Sequence, residues 1–536
     1  MTTEAIDTLK TGYTFDGATL ELGVALDGET PVPDVPISIP LSMLNRHGLV
    51  AGATGTGKTV TLQVLAEQLS RAGVPVFASD IKGDLSGIGA PGVASEKLTK
   101  RLEAAGQPWD PKANPTEFYT LGDSGLGTPI RATVTSFGPI LLSKVLELND
   151  TQESVLSLVF HYADKAGLAL LDLSDLQAVL TYLTSAEGKA ELEGIGGASK
   201  ATVGVILRKI AELSAQGGDV FFGEPEFDTA DLLRVDDSGA GIVSVLELQK
   251  LSQSPALFST FLMWLLADLF QDLPEVGDAD KPALVFFFDE AHLLFADASK
   301  AFLESVTQTV RLIRSKGVGV FFVTQTPKDV PEDVLAQLGS RIQHQLRAHT
   351  PNDAKALKAT VQTFPKSGYD LEELLTSLGI GEAIVTVMDP DGAPTPVAPT
   401  RMRAPESKIG PMSEDEVRAA VAASPQQKKY GTAIDNESAR EILTARLEAG
   451  AAEKDAEVKA RQQPTDSASS EPAGTGSGGA GKVPFPEDPA PTRSKQAPKE
   501  DNLFSQVVNS SAFKQFTRTA AREIARGIFG TSRRRR

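Results

Sequence analysis

The chain has 536 residues, 41% of them hydrophobic, and a formal net charge of −18. That length is enough for two or three domains and a sizeable core, while the acidic balance argues against a uniformly basic nucleic-acid surface without excluding a local basic pore or loop. There is no cysteine, which excludes a disulfide framework and thiolate metal sites, and the five histidines show no metal-ligand spacing.

Residues 1–45 read as a small β segment. Ala18 to Ala25 alternates as a strand should, and Val35 to Pro40 is an extended piece bounded by prolines. Met1 to Lys10 contains acids and lacks an apolar signal core. No stretch reaches the length of a membrane span; Leu257 to Phe270 is too short and carries Asp268. The expectation is a cytoplasmic protein.

A nucleotide core begins near Arg46. His47 to Ala53 reads as a short apolar strand, and Val60 to Ser70 as a helix with Leu62, Val64, Leu65 and Leu69 as its apolar positions. Between them stands Gly52-Ala53-Thr54-Gly55-Thr56-Gly57-Lys58-Thr59, two glycines bracketing four residues and followed by Lys and Thr. This is the phosphate-loop pattern. Backbone N–H groups point inward there and the helix dipole favours an anion. Gly52, Ala53, Thr54, Gly55, Thr56, Gly57, Lys58, Thr59 and Val60 are therefore the candidate ATP-binding residues. Lys58 is expected to reach the β- and γ-phosphates, and the Thr59 hydroxyl to ligate Mg²⁺. Val74 to Ser79 is a second strand, ending in the polar loop Asp80-Ile81-Lys82-Gly83-Asp84.

From about 140 to 275 the pattern is mainly helical and reads as an insertion. Asp150 is a credible capping acid with Glu153 three residues on, and Val155, Leu158, Val159 and Tyr162 continue at helical spacing. Leu173 to Leu183, Thr202 to Leu213 and Leu257 to Phe270 read as further helices, and Ile242 to Leu246 as a returning strand. The sheet resumes with the all-apolar run Leu284 to Phe288, which ends in Asp289-Glu290. An acid at the carboxyl end of a buried strand sits where open α/β sheets bind ligands. Asp289 is the candidate Mg²⁺ ligand, and Glu290 the group that deprotonates the attacking water. Ser299 to Lys316 is expected to be helical, with Phe302, Val306, Val310 and Ile313 on one side. Val318 to Val323 is a strand ending in Thr324-Gln325, and Gln325 is placed to sense the γ-phosphate or the water. Arg341 to Leu346 and Ala383 to Met388 add two more strands. Strands alternating with helices imply a parallel sheet covered on both faces.

Residues 406–462 form a charged helical extension, read as solvated helices near Glu414 to Ala422 and Glu437 to Arg461. Residues 463–502, rich in Pro, Gly, Ser and Ala, bury too little surface to offset ordering entropy and read as a disordered linker. Residues 503–536 read as a basic amphipathic helix. Lys514, Arg518, Arg522 and Arg526 make one stripe, Phe516, Ile524 and Ile528 lie away from it, and Arg533 to Arg536 close the chain. Such a tail suits nucleic acid, an anionic membrane surface or an acidic protein, this chain included.

The combination resembles the HerA/FtsK branch of P-loop ATPases over roughly residues 35–405. Arg46-His47-Gly48-Leu49-Val50-Ala51-Gly52, Asp80-Ile81-Lys82-Gly83-Asp84, Phe288-Asp289-Glu290-Ala291-His292 and Leu148-Asn149-Asp150-Thr151-Gln152 are similar to a bacterial HerA-like subfamily. The resemblance implies a RecA/ASCE-like P-loop NTPase fold in residues 46–405. It also implies ATP hydrolysis and a ring-forming homo-oligomer, favouring a hexamer, that pumps DNA or serves secretion. It implies that Gln325 is the polar strand-end sensor and that an arginine reaches a neighbouring subunit's γ-phosphate. Arg341 is the first choice for that arginine, with Arg314 and Arg347 as alternatives. Two activities follow as expectations: a DNA-acting ATPase motor, or an ATP-driven factor acting on a protein or membrane-associated complex.

Overall fold

Leu284–Phe288 and Val318–Thr324 are buried at every residue, which explains why neither strand shows a polar face in the sequence. In this computed structural model they are two of twelve strands in one sheet among the described residues, which are 3–461 apart from 123–124, 250–254, 278 and 296–299. The strands are β1 (Thr19–Asp27), β2 (Thr30–Pro40), β3 (Gly48–Ala51), β4 (Val76–Asp80), β5 (Thr116–Leu121) and β6 (Thr128–Ile130). They continue as β7 (Val243–Glu247), β8 (Leu284–Phe288), β9 (Val318–Thr324), β10 (Ser340–His344), β11 (Glu382–Thr386) and β12 (Ala398–Met402). Their order is β2-β1-β12-β11-β10-β3-β9-β8-β4-β7-β5-β6. Every pair from β10 through to β6 is parallel, and β10-β11-β12-β1-β2 is antiparallel.

Register decides where the site lies. Ala51 faces Gln343 and Thr324, Phe288 faces Phe322, and Ser79 faces Phe288. The carboxyl ends of β3, β9, β8 and β4 therefore share one edge. One strand, β9, separates the phosphate-loop strand from the Asp289 strand.

Several expectations change in detail. β1 and β2 are not a free-standing segment: Gly23 pairs with Met402 and Ala25 with Thr400, so the hairpin extends the central sheet. An unanticipated helix, Thr3–Gly12, precedes it. β5 and β6 were also not anticipated, and β7, the returning strand, lies between β4 and β5. The expected cap at Asp150 shifts by one residue. Asn149 Oδ1 accepts from the Thr151 and Gln152 N–H groups (both 3.1 Å), and Gln152 Oε1 accepts from Asn149 N (3.0 Å). The helix expected from Ser299 runs Lys300–Ile313, then tightens into a 3₁₀ turn that ends at Gly317 (φ 74°).

The charged extension is less solvated than its composition suggests. Glu67, fully buried on the helix Lys58–Arg71, accepts hydrogen bonds from Glu406 N, Ser407 N and Ser407 Oγ at 2.9–3.2 Å. Tyr430 is 1% exposed and donates to Asp231 Oδ2 at 2.6 Å.

The chain divides into two units, Met1–Leu180 with Ser199–Arg440, and Thr181–Ala198 with Glu441–Arg536. The first holds the sheet. In the second, Lys454 Nζ pairs with Glu187 Oε1 at 2.6 Å and Tyr182 donates to Glu191 at 3.0 Å. No helix among the described residues is long and apolar enough to cross a membrane. The linker at 463–502 and the basic stripe from Lys514 to Arg526 lie outside the described residues.

Candidate active site

The phosphate loop leaves β3 at Gly52 and enters the helix Lys58–Arg71. Gly55 (φ 81°) and Gly57 (φ 111°) hold left-handed conformations that would strain any L side chain. At Gly52 the constraint is space, since a Cβ would lie 2.5 Å from His344 Cβ. The loop is pinned from both sides: Gly52 N donates to Thr324 O (3.2 Å), Ala53 N to Gln345 O (2.8 Å), and Gly381 N to Thr56 O (2.9 Å). Thr56 Oγ donates back to Ala53 O at 2.7 Å. Lys58, Thr59 and Val60 open the helix ahead of the Thr61 N to Gly57 O bond (3.0 Å), so their N–H groups form the anion-binding end. His344 supports the loop from beneath. Its Nδ1–H donates to Glu382 O (2.9 Å) and its Nε2 accepts from Thr61 Oγ (3.0 Å). Burial pushes its pKa down to about 4, so the ring is neutral and one tautomer is fixed.

Lys58 is 5% exposed and donates to Gly52 O at 2.7 Å and Ala53 O at 3.2 Å. Burial lowers its pKa; Glu290 and Asp289 act in the opposite direction, so both acids lie within electrostatic reach. Asp289, 1% exposed, anchors its own turn: its N–H donates to Ser79 Oγ (3.2 Å) and its Oδ1 accepts from Glu290 N (2.9 Å). Its Oδ2 is buried and has no hydrogen-bond partner among the described residues. Burial, then the Glu290 charge, pushes Asp289 up to about 7.

Glu290 has φ 48°, a left-handed value that costs a non-glycine residue about 1–3 kcal/mol and often marks a functional turn. Its Oε1 is ion-paired with Lys82 Nζ. Its Oε2 lies 3.1 Å from His292 Nδ1 and accepts a long hydrogen bond, 3.5 Å, from Gln325 Nε2. Burial alone would raise the Glu290 pKa, but Lys82, His292 and Lys58 outweigh it and hold the group below its ordinary value. Asp289 Oδ2 and the Thr59 hydroxyl suit Mg²⁺. No group of three or more His, Asp or Glu that could cage a metal exists among the described residues, and Mg²⁺ takes few protein ligands beside waters and phosphate oxygens.

The structure thus brings Lys58, Asp289, Glu290 and Gln325 to one edge. Arg341 is not among them. It sits opposite Leu49 on β10 and bonds Thr363 through both its Oγ and its carbonyl. Arg347 donates to Thr54 O of its own phosphate loop at 3.3 Å. Arg314 lies in the turn leading into β9, at the opposite edge of the sheet. Lys82 and His344 were not singled out from the sequence. In the sequence Lys82 is only a cation in a polar loop after an apolar strand, whose place beside the acid strand the strand order reveals, and His344 carried no signal.

A model of the helicase HerA-like C-terminal family matches residues 28–536. The chain belongs to that family. This HerA-like chain is 23% identical over 358 residues to the DNA double-strand break repair helicase HerA of Sulfolobus acidocaldarius, covering 66% of this chain and 64% of the relative. With the protein of that name from Saccharolobus solfataricus it shares 24% identity over 387 residues, 70% of this chain and 67% of the relative. The first alignment thus spans just under two thirds of that relative's length. Among solved structures, the bacterial conjugative coupling protein TrwBdeltaN70 superposes with a TM-score of 0.49 at 16% identity, covering 75% of this chain and 92% of that one. VirB4 of Thermoanaerobacter pseudethanolicus gives 0.44 at 15%, covering 73% and 97%. The HerA-like chain is thus a P-loop ATPase of the HerA/FtsK type built on a largely parallel sheet.

Proposed function

We propose that the chain binds Mg·ATP and hydrolyses it as one subunit of a homo-oligomeric, preferentially hexameric, motor that acts on DNA. The observation that carries the hydrolytic reading is the juxtaposition of Lys58, the unpartnered Asp289 Oδ2 and the Glu290–Gln325 pair at one sheet edge. Burying two adjacent carboxylates is costly without a cation between them and the phosphates. Lys58 exchanges the Gly52 and Ala53 carbonyls for β- and γ-phosphate oxygens. Thr59 and Asp289 Oδ2 would hold Mg²⁺, which would supply positive charge against the triphosphate. Glu290 takes the proton of the attacking water, and Gln325 fixes the water's orientation beside it. Arg341, once free of Thr363, serves a neighbouring subunit's γ-phosphate; Arg347, on its own phosphate loop, is the alternative.

DNA as the substrate rests on the names of the archaeal relatives. The formal charge of −18 favours a second reading, an ATP-driven factor acting on a protein or membrane-associated complex through the basic tail. ATPase rates measured with and without single- and double-stranded DNA, alongside the mass in solution with nucleotide, separate the two. DNA-stimulated turnover by a ring supports the motor. DNA-independent turnover, with a partner lost when residues 503–536 are removed, supports the second reading.

A further inference from the structure

Lys82 has no part in the chemistry assigned above, yet its turn is built with care. Asp80, fully buried at the end of β4, accepts from Gly83 N (2.6 Å) through Oδ1 and from Leu85 N (2.8 Å) through Oδ2. Gly83 has φ 77°, and a Cβ there would collide with the Gln249 side chain. The turn is a rigid platform, and its adaptable part is the long Lys82 side chain, 41% exposed. That side chain ends on Glu290 Oε1, while Oε2 faces His292 and Gln325. Oε1 of the water-activating group is therefore the engaged oxygen, while Oε2 has only the long Gln325 contact and the His292 ring beside it. An oxygen paired with an ammonium is a poorer proton acceptor, because the positive charge beside it stabilises the carboxylate.

A second seat for the ammonium exists on the same turn. Asp84 Oδ1 is buried without a hydrogen-bond partner among the described residues, and the Asp84 charge already acts on Lys82. We propose that Lys82 is a two-position latch: paired with Glu290 it keeps the base engaged, and moved to Asp84 it frees the base for water. This rests on the reading of Glu290 as the water-activating group. Lys82 is then a positioning residue, and its effect falls on kcat rather than on nucleotide affinity. Whatever draws Lys82 to Asp84 raises turnover by shifting a population between two states.

The test is kcat and KM for ATP hydrolysis by the full chain at constant Mg²⁺, without added nucleic acid, for K82A, K82R, D84N and K82A/D84N. Removing a part-exposed ion pair is expected to raise kcat about fivefold in K82A with KM changed less than about twofold. K82R should reverse at least half of that rise. D84N should lower kcat, and should lose its effect in the K82A background, as two members of one switch must. A fall in kcat for K82A, a rise in KM of about tenfold marking a phosphate ligand, or an equal D84N effect in both backgrounds would overturn the latch. E290Q in the same series keeps the two readings apart. Wild-type turnover in E290Q removes the assignment of the base and the latch with it, whereas an inactive E290Q beside a slowed K82A removes the latch alone. Unchanged thermal midpoints in K82A and D84N confirm that the rates are read on folded protein.

Discussion

Asp289 and Glu290 are neighbours whose proton affinities shift in opposite directions. Burial and the Glu290 charge push Asp289 up to about 7; three cationic or proton-bearing neighbours hold Glu290 down despite its burial. Along the same edge burial raises Asp80 to about 6, and burial with the Asp80 charge raises Glu247 to about 8. These three acids hold their protons more tightly folded than unfolded. At low pH both states are protonated and nothing is lost. As pH climbs past about 4 the unfolded chain releases protons first, so stability declines until the folded acids also ionise, near pH 6–8. In magnesium-free buffer, denaturant midpoints should therefore fall between about pH 5 and pH 8. D289N should recover roughly 2 kcal/mol at pH 8 and almost nothing at about pH 3. Parallel pH curves for D289N and wild type would show that Asp289 is not the strained acid described here.

At the scale of elements, the phosphate-loop helix has two clients. Its first turn faces the anion site, and its last turn holds the segment after β12 through Glu67, with Arg71 Nη1 bonding Glu406 Oε2 at 2.7 Å. E67A leaves the Glu406 and Ser407 donors buried without their acceptor and should cost about 3 kcal/mol, read as a lower urea midpoint. A loss below about 0.5 kcal/mol would mean that the segment docks elsewhere. How legible each element was in the sequence follows from what forms it. β3, β8, β9 and the helix holding Phe302, Val306, Val310 and Ile313 were legible because apolar runs and helical spacing are local signals. β5, β6 and the joining of β1 to β12 were not: β5 and β1 are placed by partners distant in sequence, β7 and β12, and β6 is only 3 residues long. The docking of residues 404–431 was missed for the same reason: a buried carboxylate on another helix, not an apolar stripe, holds Glu406 and Ser407.

Across the whole sheet, aligned strand ends turn three separate sequence signals into one site. The phosphate loop and Asp289-Glu290 were legible because glycine spacing and an acid pair after an apolar run are chemical signatures. Lys82 was not, because its meaning depends on β4 lying directly beside β8, which only the strand order reveals. Arg341 illustrates the reverse case: the family resemblance gives it a role between subunits, while within one chain its guanidinium is held by Thr363. Under the proposed assembly that contact would have to break before the role begins. In the proposed function, separate strand ends meet around Mg·ATP and Glu290 is poised to activate water. The most direct test is single-turnover hydrolysis with nucleotide binding, compared between wild type and E290Q. E290Q is expected to bind Mg·ATP as tightly as wild type but to cleave it about 10²-fold or more slowly. Cleavage by E290Q at the wild-type rate would contradict that function.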